Sequence, residues 1–188
     1  MKSVRPSART NNEPAYLSPA IRSMRRIEHS ICLEATPEAA YDFMTTLGCW
    51  RRWYPGTVAM EGQTDRPASV GDTVTEHVRT LGMVGKLRWV AVESTRPWRF
   101  VAETTSVDMP LIRRARLRIT YAFEPAKESL ALHTRMVRTL EYEFTGVARF
   151  LDRVYFHEHL KRKAAFGLVR LQELVRREAG DGRFGHAG

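Results

Sequence analysis

The segment from Gly146 to Glu178 constrains the fold more than any other part of the sequence. It contains no proline and is predicted to form one long amphipathic helix that starts at a glycine. One side of this helix carries a stripe of apolar residues, namely Val147, Phe150, Leu151, Val154, Ala165, Leu168, Val169, Leu171 and Val175. A helix of this length with one apolar side needs a large apolar surface to cover.

The middle of this helix interrupts the stripe. His157, Glu158 and Lys161 occupy the apolar side there, whereas the large apolar residues Phe156 and Leu160 fall outside it. Two interpretations are open. Either the helix shifts its phase in this turn, or its inner side meets something polar, because buried polar groups need hydrogen-bond partners.

Most of the chain before this helix is predicted to be β-strand. The clearest strand is Arg114 to Phe123, in which apolar residues alternate with arginine and threonine, so that one side faces a core. Short connections between the strands indicate antiparallel pairing. The predicted strands are Arg26 to Ala35, Thr57 to Glu61, Asp72 to Thr80, Lys86 to Ser94, Arg99 to Ser106, Arg114 to Phe123 and Ser129 to Tyr142.

Two short helices are predicted between the first and second strands. Thr36, Pro37 and Glu38 supply a capping hydroxyl, a proline at the first helical position and an acid in the first turn. Gly48 ends this first helix. The segment from Cys49 to Gly56 then predicts a second helical turn that Pro-Gly terminates.

Several motifs in this order resemble the SRPBCC superfamily, the START-like or helix-grip fold that includes polyketide cyclases and dehydratases. They are ICLEATPEAAYDF at 31–43, WRRWYP at 50–55, VGD at 70–72, PWRF at 97–100 and the closing helix. The resemblance implies an α+β fold in which a seven-stranded antiparallel sheet wraps around the long C-terminal helix and leaves an apolar cavity. The resemblance covers roughly residues 26–178, and the predicted domain is 26–179. The N-terminus, rich in Pro, Ser, Asn and Arg, predicts a flexible basic arm at 1–25, and a flexible tail is predicted at 180–188.

Charge and composition bear on where the protein is located in the cell and what it binds. The formal charge of +9 is concentrated in the N-terminal arm and the last helix, whereas residues 27–145 carry equal numbers of acidic and basic residues. Two cysteines without disulfide or metal spacing, and no signal peptide, predict a cytoplasmic protein. The basic arm is compatible either with weak contact with a membrane surface or with an ordinary solvated surface. The lack of interleaved aromatics or a recognition motif argues against nucleic-acid binding.

The residues on the inward-facing sides of the predicted strands and helices are the candidates for the cavity wall. The expected ligand-binding residues are Trp53, Trp89, Leu117, Tyr121, Met136, Phe150, Val154, His157, Glu158 and Lys161. Each of them is also compatible with ordinary core packing. An apolar pocket with a few polar groups is typical of a small-molecule site, so the expected partner is a hydrophobic small molecule or lipid.

The sequence gives little support for catalysis. His157 and His159 are two residues apart on a helix and cannot chelate one metal, and no nucleotide or nucleophile motif occurs, so no metal and no cofactor are expected. A polyketide cyclase or dehydratase reaction is the alternative function, with His157, Glu158 or His77 as its acid or base.

Two hairpin tips, at 81–85 and 107–112, are unusually apolar. They are expected either to reach a membrane or ligand-delivering partner, or to fold back over the core.

Overall fold

A computed structural model describes residues 24–80, 82–110, 112, 115–126 and 133–180. The predicted arm and tail lie outside these residues, apart from Met24, Arg25 and Gly180. The described strands are β1 (Arg25–Leu33), β2 (Thr57–Gly62), β3 (Thr73–Thr80), β4 (Met83–Thr95), β5 (Arg99–Asp108), β6 (Ala115–Pro125) and β7 (Thr134–Phe144). The helices are α1 (Pro37–Thr45), α2 (Trp50–Trp53), α3 (Val147–Leu151) and α4 (His157–Gly180). A 3₁₀ turn (Leu47–Cys49) precedes α2, and a π-helical segment (Asp152–Phe156) joins α3 to α4.

The seven strands form one antiparallel sheet in the order β1-β7-β6-β5-β4-β3-β2. The first two strands therefore lie at opposite edges, and α1 and α2 carry the chain from one edge to the other. The last helix contacts β1 at one edge and α2 on the other side. This arrangement confirms the predicted helix-grip fold.

The two short helices follow from the local sequence. The Thr36 hydroxyl accepts a hydrogen bond from the backbone N–H of Ala39 at 3.2 Å, and Pro37 occupies the start of α1. The indole Nε1 of Trp50 in α2 donates to the backbone oxygen of Met44 at 2.9 Å. This bond ties α2 to the end of α1, and Tyr41 of α1 and the two tryptophans of α2 are buried in the core.

The strand predictions are confirmed where the structure describes the chain, with ends that differ by a few residues. In β6 the apolar residues Ile119, Tyr121 and Phe123 are buried, whereas Arg116 on the opposite side is exposed. The parts of the predicted strands at 114 and 129–132 lie outside the described residues. Within the described residues, no helix has the length and hydropathy needed to cross a membrane.

The predicted apolar stripe of the last helix is partly wrong. Val147, Phe150 and Val169 are more than 60% exposed, and Ala165 is exposed as well. The buried side instead follows Ala148, Asp152, Phe156, Ala164, Leu168, Leu171 and Val175. A π turn holds an extra residue, so the segment from Asp152 to Phe156 rotates the following residues about the helix axis. The phase shift was one of the two interpretations that the sequence left open.

Candidate ligand-binding cavity

A cavity of about 90 Å³ lies between the inner face of the sheet, α2 and the N-terminal half of α4. Its volume is several times what one water molecule requires. Aromatic rings form much of its wall, and Trp50 meets Trp89 and Tyr121 edge-on at 6.0 and 6.1 Å between ring centroids. The wall comprises Trp50, Trp53, Tyr54, Gly56, Glu76, Val78, Arg79, Thr80, Leu87, Trp89, Val107, Met109, Ile112, Leu117, Ile119, Tyr121, Arg138, Leu140, Phe144, Phe156, Leu160 and Lys163.

A carboxyl group lies in this mostly apolar wall. Glu76 is only 3% exposed because it lies between Val74 and Val78 on the inward side of β3. Its oxygens accept hydrogen bonds from the hydroxyl of Thr57 and, at 2.9 Å, from the indole Nε1 of Trp89. Burial raises the pKa of Glu76 above its ordinary value, and these two hydrogen bonds oppose that shift.

A guanidinium group enters the cavity from β7, near the opposite edge of the sheet from Glu76. Arg138 is 3% exposed and lies on the inward side of β7, in line with Met136 and Leu140. Its Cζ lies 5.6 Å from the centre of the Tyr54 ring, which is cation–π distance. Its Nε and Nη1 atoms are buried and have no hydrogen-bond partner among the described residues. They are therefore available to an acceptor inside the cavity.

Tyr121 lies beside this guanidinium on the cavity wall. Burial raises the pKa of the Tyr121 hydroxyl, and the charge and hydrogen bond of Arg138 offset part of that effect. The indole Nε1 of Trp53 is a further buried donor without a described partner. The cavity thus contains several N–H and O–H groups that can bind the polar part of a guest.

Lys163 completes the charged set from α4. Its ammonium group donates to the backbone oxygen of Arg79 and lies 6.0 Å from the Tyr54 ring centre. Burial lowers the pKa of Lys163, while the nearby Glu76 acts in the opposite direction. No ion pair between Glu76 and either cation occurs within this described wall. The wall therefore contains the buried Glu76 and Arg138 and the half-buried Lys163, whereas its other charged residue, Arg79, is exposed.

The second apolar hairpin tip closes one end of the cavity. Met109 and Ile112 are buried and line the wall together with Val107, so this tip folds back over the core. Gly85 on β4 makes this closure possible, since a Cβ there would lie 2.2 Å from Cγ of Met109. In the first tip, Val84 is exposed, and Leu81 lies outside the described residues.

The predicted site residues divide into two groups. Trp53, Trp89, Leu117 and Tyr121 line the cavity. Met136 is fully buried in the adjoining core and does not line it. The expected inward placement of Phe150, Glu158 and Lys161 is wrong, because all three side chains are exposed. Phe150 precedes the π segment, and beyond its start Phe156, Leu160 and Lys163 line the cavity instead. The side chain of Val154 lies outside the described residues.

His157 has an internal partner instead of facing the cavity. Its Nδ1 is 2.9 Å from the Tyr142 hydroxyl, which donates to Oδ1 of Asp152 at 2.8 Å. Oδ2 of Asp152 accepts from Nη1 of Arg25 at 2.9 Å. These bonds connect the π segment to β7 and β1. Burial, and then Asp152, raise the pKa of Tyr142.

The other proposed acid or base, His77, lies on the outer side of this region. Its Nε2 is 2.9 Å from Oε1 of Glu61 on β2. It lines an open groove of about 600 Å³ that shares Val107, Met109 and Ile112 with the cavity wall. Among the described residues, no cluster of three or more His, Cys, Asp or Glu side chains is placed to hold a metal ion.

Sequence reasoning missed Glu76, Arg138 and Lys163. The signal for the first two was present in the strand alternation, since Glu76 shares its parity with Val74 and Val78, and Arg138 shares its parity with Met136. A charged residue on an otherwise apolar side indicates a buried polar site. Lys163 had no such signal because its orientation depends on the π segment.

A family profile described as "polyketide cyclase / dehydrase and lipid transport" matches residues 24–176. The chain belongs to this family. It is an SRPBCC, START-like protein of the polyketide cyclase type, as its sequence motifs and its fold both indicate. No curated protein matches the sequence.

Solved structures show the same fold at low sequence identity. The Zhui aromatase/cyclase from Streptomyces sp. R1128 is 14% identical with a TM-score of 0.66, and the match covers 83% of this chain and 96% of that one. A conserved protein from Geobacillus kaustophilus is 10% identical with a TM-score of 0.64, covering 82% and 97%. A START superfamily protein from Mycobacterium smegmatis is 14% identical with a TM-score of 0.56, covering 85% and 96%. These matches support the SRPBCC fold of this family.

Proposed function

We propose that this protein binds a hydrophobic small molecule or lipid inside the cavity, as a carrier, chaperone or sensor. The observation that carries the proposal is a partly open cavity whose mostly apolar wall also contains buried polar groups without partners among the described residues. Apolar pockets with a few well-placed polar groups are typical of small-molecule sites. In this proposal Trp53, Trp89, Leu117 and Tyr121 contact the apolar body of the ligand, together with Phe156 and Leu160.

The closing tip, which follows β5, supports a ligand that enters at this end of the sheet. Val107, Met109 and Ile112 separate the cavity from the outer groove, so their displacement opens a path between the two. The cavity of about 90 Å³ suits a small ring, and outward movement of the tip enlarges it for a longer guest. In this proposal the tip that carries Val107, Met109 and Ile112 is therefore the entrance to the cavity.

A second candidate is cyclase or dehydratase chemistry on an aromatic or polyketide substrate. Glu76 favours it, because a buried carboxyl group with a raised pKa suits a general acid. In this version Glu76 replaces His157, Glu158 and His77, none of which reaches the cavity wall. The aromatase/cyclase of the same fold supports the class of reaction only through shared architecture.

The proposed location of the protein is the cytoplasm. The free thiols of Cys32 and Cys49 are compatible with a reducing cytoplasm. Contact with an anionic membrane surface through the basic arm would bring the protein to a source of apolar ligand. Apart from Met24 and Arg25, the arm lies outside the described residues, so its sequence alone supports this contact.

The binding proposal is tested by extracting the purified protein with organic solvent for mass spectrometry, and by titrating it with toluene, naphthalene and palmitate. Trp50, Trp53 and Trp89 line the cavity, so a bound guest should change the tryptophan fluorescence. We expect Leu160→Trp, which fills the cavity, to weaken uptake at least tenfold. Phe166→Trp on the exposed side of the same helix is the control and should leave uptake unchanged.

The results separate the candidates. An empty extract combined with no uptake of any probe would refute the binding proposal. Conversion of an extracted compound by wild type, abolished in Glu76→Gln without loss of binding, would favour the enzymatic candidate over the carrier.

A further inference from the structure

The charged side chains of the cavity wall, Glu76, Arg138 and Lys163, form no ion pairs with one another. Both oxygens of Glu76 are engaged by the neutral donors of Thr57 and Trp89. Arg138 therefore lacks a carboxylate partner, although it is as deeply buried as Glu76. Lys163 adds a second cation that is only half-buried. A buried charge without an opposite charge beside it is unfavourable, so an anion that enters the cavity offsets a cost already present in the folded protein.

The available donors indicate what kind of group the anion presents. Nε of Arg138 carries one N–H and Nη1 carries two, and both nitrogens are buried without a described partner. Hydrogen bonds from a guanidinium to an anionic oxygen are stronger than those to a neutral oxygen. The aromatic wall next to Arg138, formed by Trp53, Tyr54 and Tyr121, admits an apolar body attached to that oxygen.

Other elements around Arg138 do not supply the missing anion. His29 is its direct partner in the β1–β7 register, and its ring nitrogens are buried and unpartnered among the described residues. Burial and the nearby Arg138 lower the pKa of His29, which therefore contributes no negative charge. Tyr54 offers its ring face, and Tyr121 offers a neutral hydroxyl whose pKa is raised by burial.

We infer that the cavity selects an apolar molecule that carries one anionic oxygen, a carboxylate or an enolate or phenolate, which binds to the guanidinium of Arg138. The inference rests on the proposed function, since it requires that the cavity is a binding site. Arg138 fixes the orientation of the guest, with its oxygen towards β7 and its apolar body along the tryptophans. Glu76 lies on the opposite strand and disfavours guests with a second anionic group nearby.

Three matched probes test this inference: 4-fluorobenzoate, 4-fluorophenol and 4-fluorotoluene, titrated against the full chain by fluorine NMR. They share a fluorinated ring and differ only in the group that meets Arg138. Since hydrogen bonds to a charged group contribute roughly 1.5–3 kcal/mol, we expect wild type to bind 4-fluorobenzoate at least about tenfold tighter than 4-fluorotoluene. At neutral pH 4-fluorophenol is mostly un-ionised, so we expect it to bind less tightly than 4-fluorobenzoate, and equal affinity for these two probes would overturn the requirement for an anionic oxygen.

Two arginines of the same strand provide a matched pair of variants. Arg138→Met should abolish the preference for the carboxylate while binding of 4-fluorotoluene stays within about threefold of wild type. Arg135→Met removes the same charge from the exposed side of β7 and should keep the preference. Arg138→Gln, which retains N–H donors without charge, is the second variant if the methionine protein does not fold, and it should retain only part of the preference.

The outcomes distinguish the inference from the proposed function. Equal affinity of wild type for 4-fluorobenzoate and 4-fluorotoluene would overturn the inference and leave the binding proposal standing. An equal loss of preference in Arg138→Met and Arg135→Met would assign the effect to net charge and would also overturn it. Failure of all three probes to bind wild type would remove the binding proposal and the inference together.

Discussion

The phase shift in the last helix can be tested with two phenylalanines six residues apart. Phe150 is 69% exposed and Phe156 is 4% exposed, although a regular α-helix places Phe150 on the apolar stripe and Phe156 off it. Phe156 packs edge-on against Phe144 with 5.5 Å between ring centroids. Truncation of each side chain to alanine therefore measures which residue the folded protein buries.

The expected magnitudes follow from burial. A buried phenylalanine removes roughly 200 Å² from water, which corresponds to about 5 kcal/mol at about 25 cal/mol per Å². This figure is an upper bound, and one side of Phe156 faces the cavity, so we expect Phe156→Ala to lower the free energy of unfolding by about 3 kcal/mol. Phe150→Ala should change it by less than about 0.5 kcal/mol.

Urea denaturation followed by tryptophan fluorescence measures both values, and thermal unfolding provides a second readout. For a domain of this size, a loss of about 3 kcal/mol corresponds to a decrease in Tm of roughly 6–12 °C. Equal losses in the two variants, or a larger loss for Phe150→Ala, would refute the rotation of the helix by the π segment. The placement of Leu160 and Lys163 in the cavity would then fail as well.

Two further predictions concern charge. Burial holds the pKa of Glu76 above its ordinary value of 4.5, so the folded protein binds this proton more tightly than the unfolded chain. Wild type should therefore lose stability relative to Glu76→Gln as the pH rises from about 4.5 through the raised pKa, and a difference that is constant with pH would contradict the burial of the carboxylate. Removal of residues 1–23, which leaves Arg25 bound to Asp152, should abolish co-sedimentation with anionic vesicles at low salt; retained binding would exclude the arm as the membrane contact.

The sheet could be predicted because its physical signal is local. In β6 the alternation of apolar and charged residues fixes which side is buried, and the neighbouring strands repeat that pattern. The start of α1 was equally predictable, since Thr36 and Pro37 satisfy the first turn of a helix by themselves. These elements need no information from distant parts of the chain.

The sequence predicts the last helix as a helix, but it does not predict which side of that helix is buried. A π turn is stabilised by tertiary contacts, here the bonds from Asp152 to Arg25 on β1 and to Tyr142 on β7. Arg25 is 127 residues distant in sequence, and no periodicity within the helix reveals that contact. The error then propagated to the site, because Glu158 and Lys161 were assigned to a face that the rotation turns outwards.

The separation of Glu76 from Arg138 argues for a ligand more strongly than either residue does alone. Two opposite charges buried in one small cavity attract each other strongly, and a purely structural pair would be stabilised by direct contact. Here the hydroxyl of Thr57 and the indole of Trp89 hold the carboxylate on β3, while the ring of Tyr54 holds the guanidinium on β7. Each charge is thus fixed by its own neutral neighbours, which leaves the guanidinium N–H groups free for a guest at some expense of stability, as is common for binding sites.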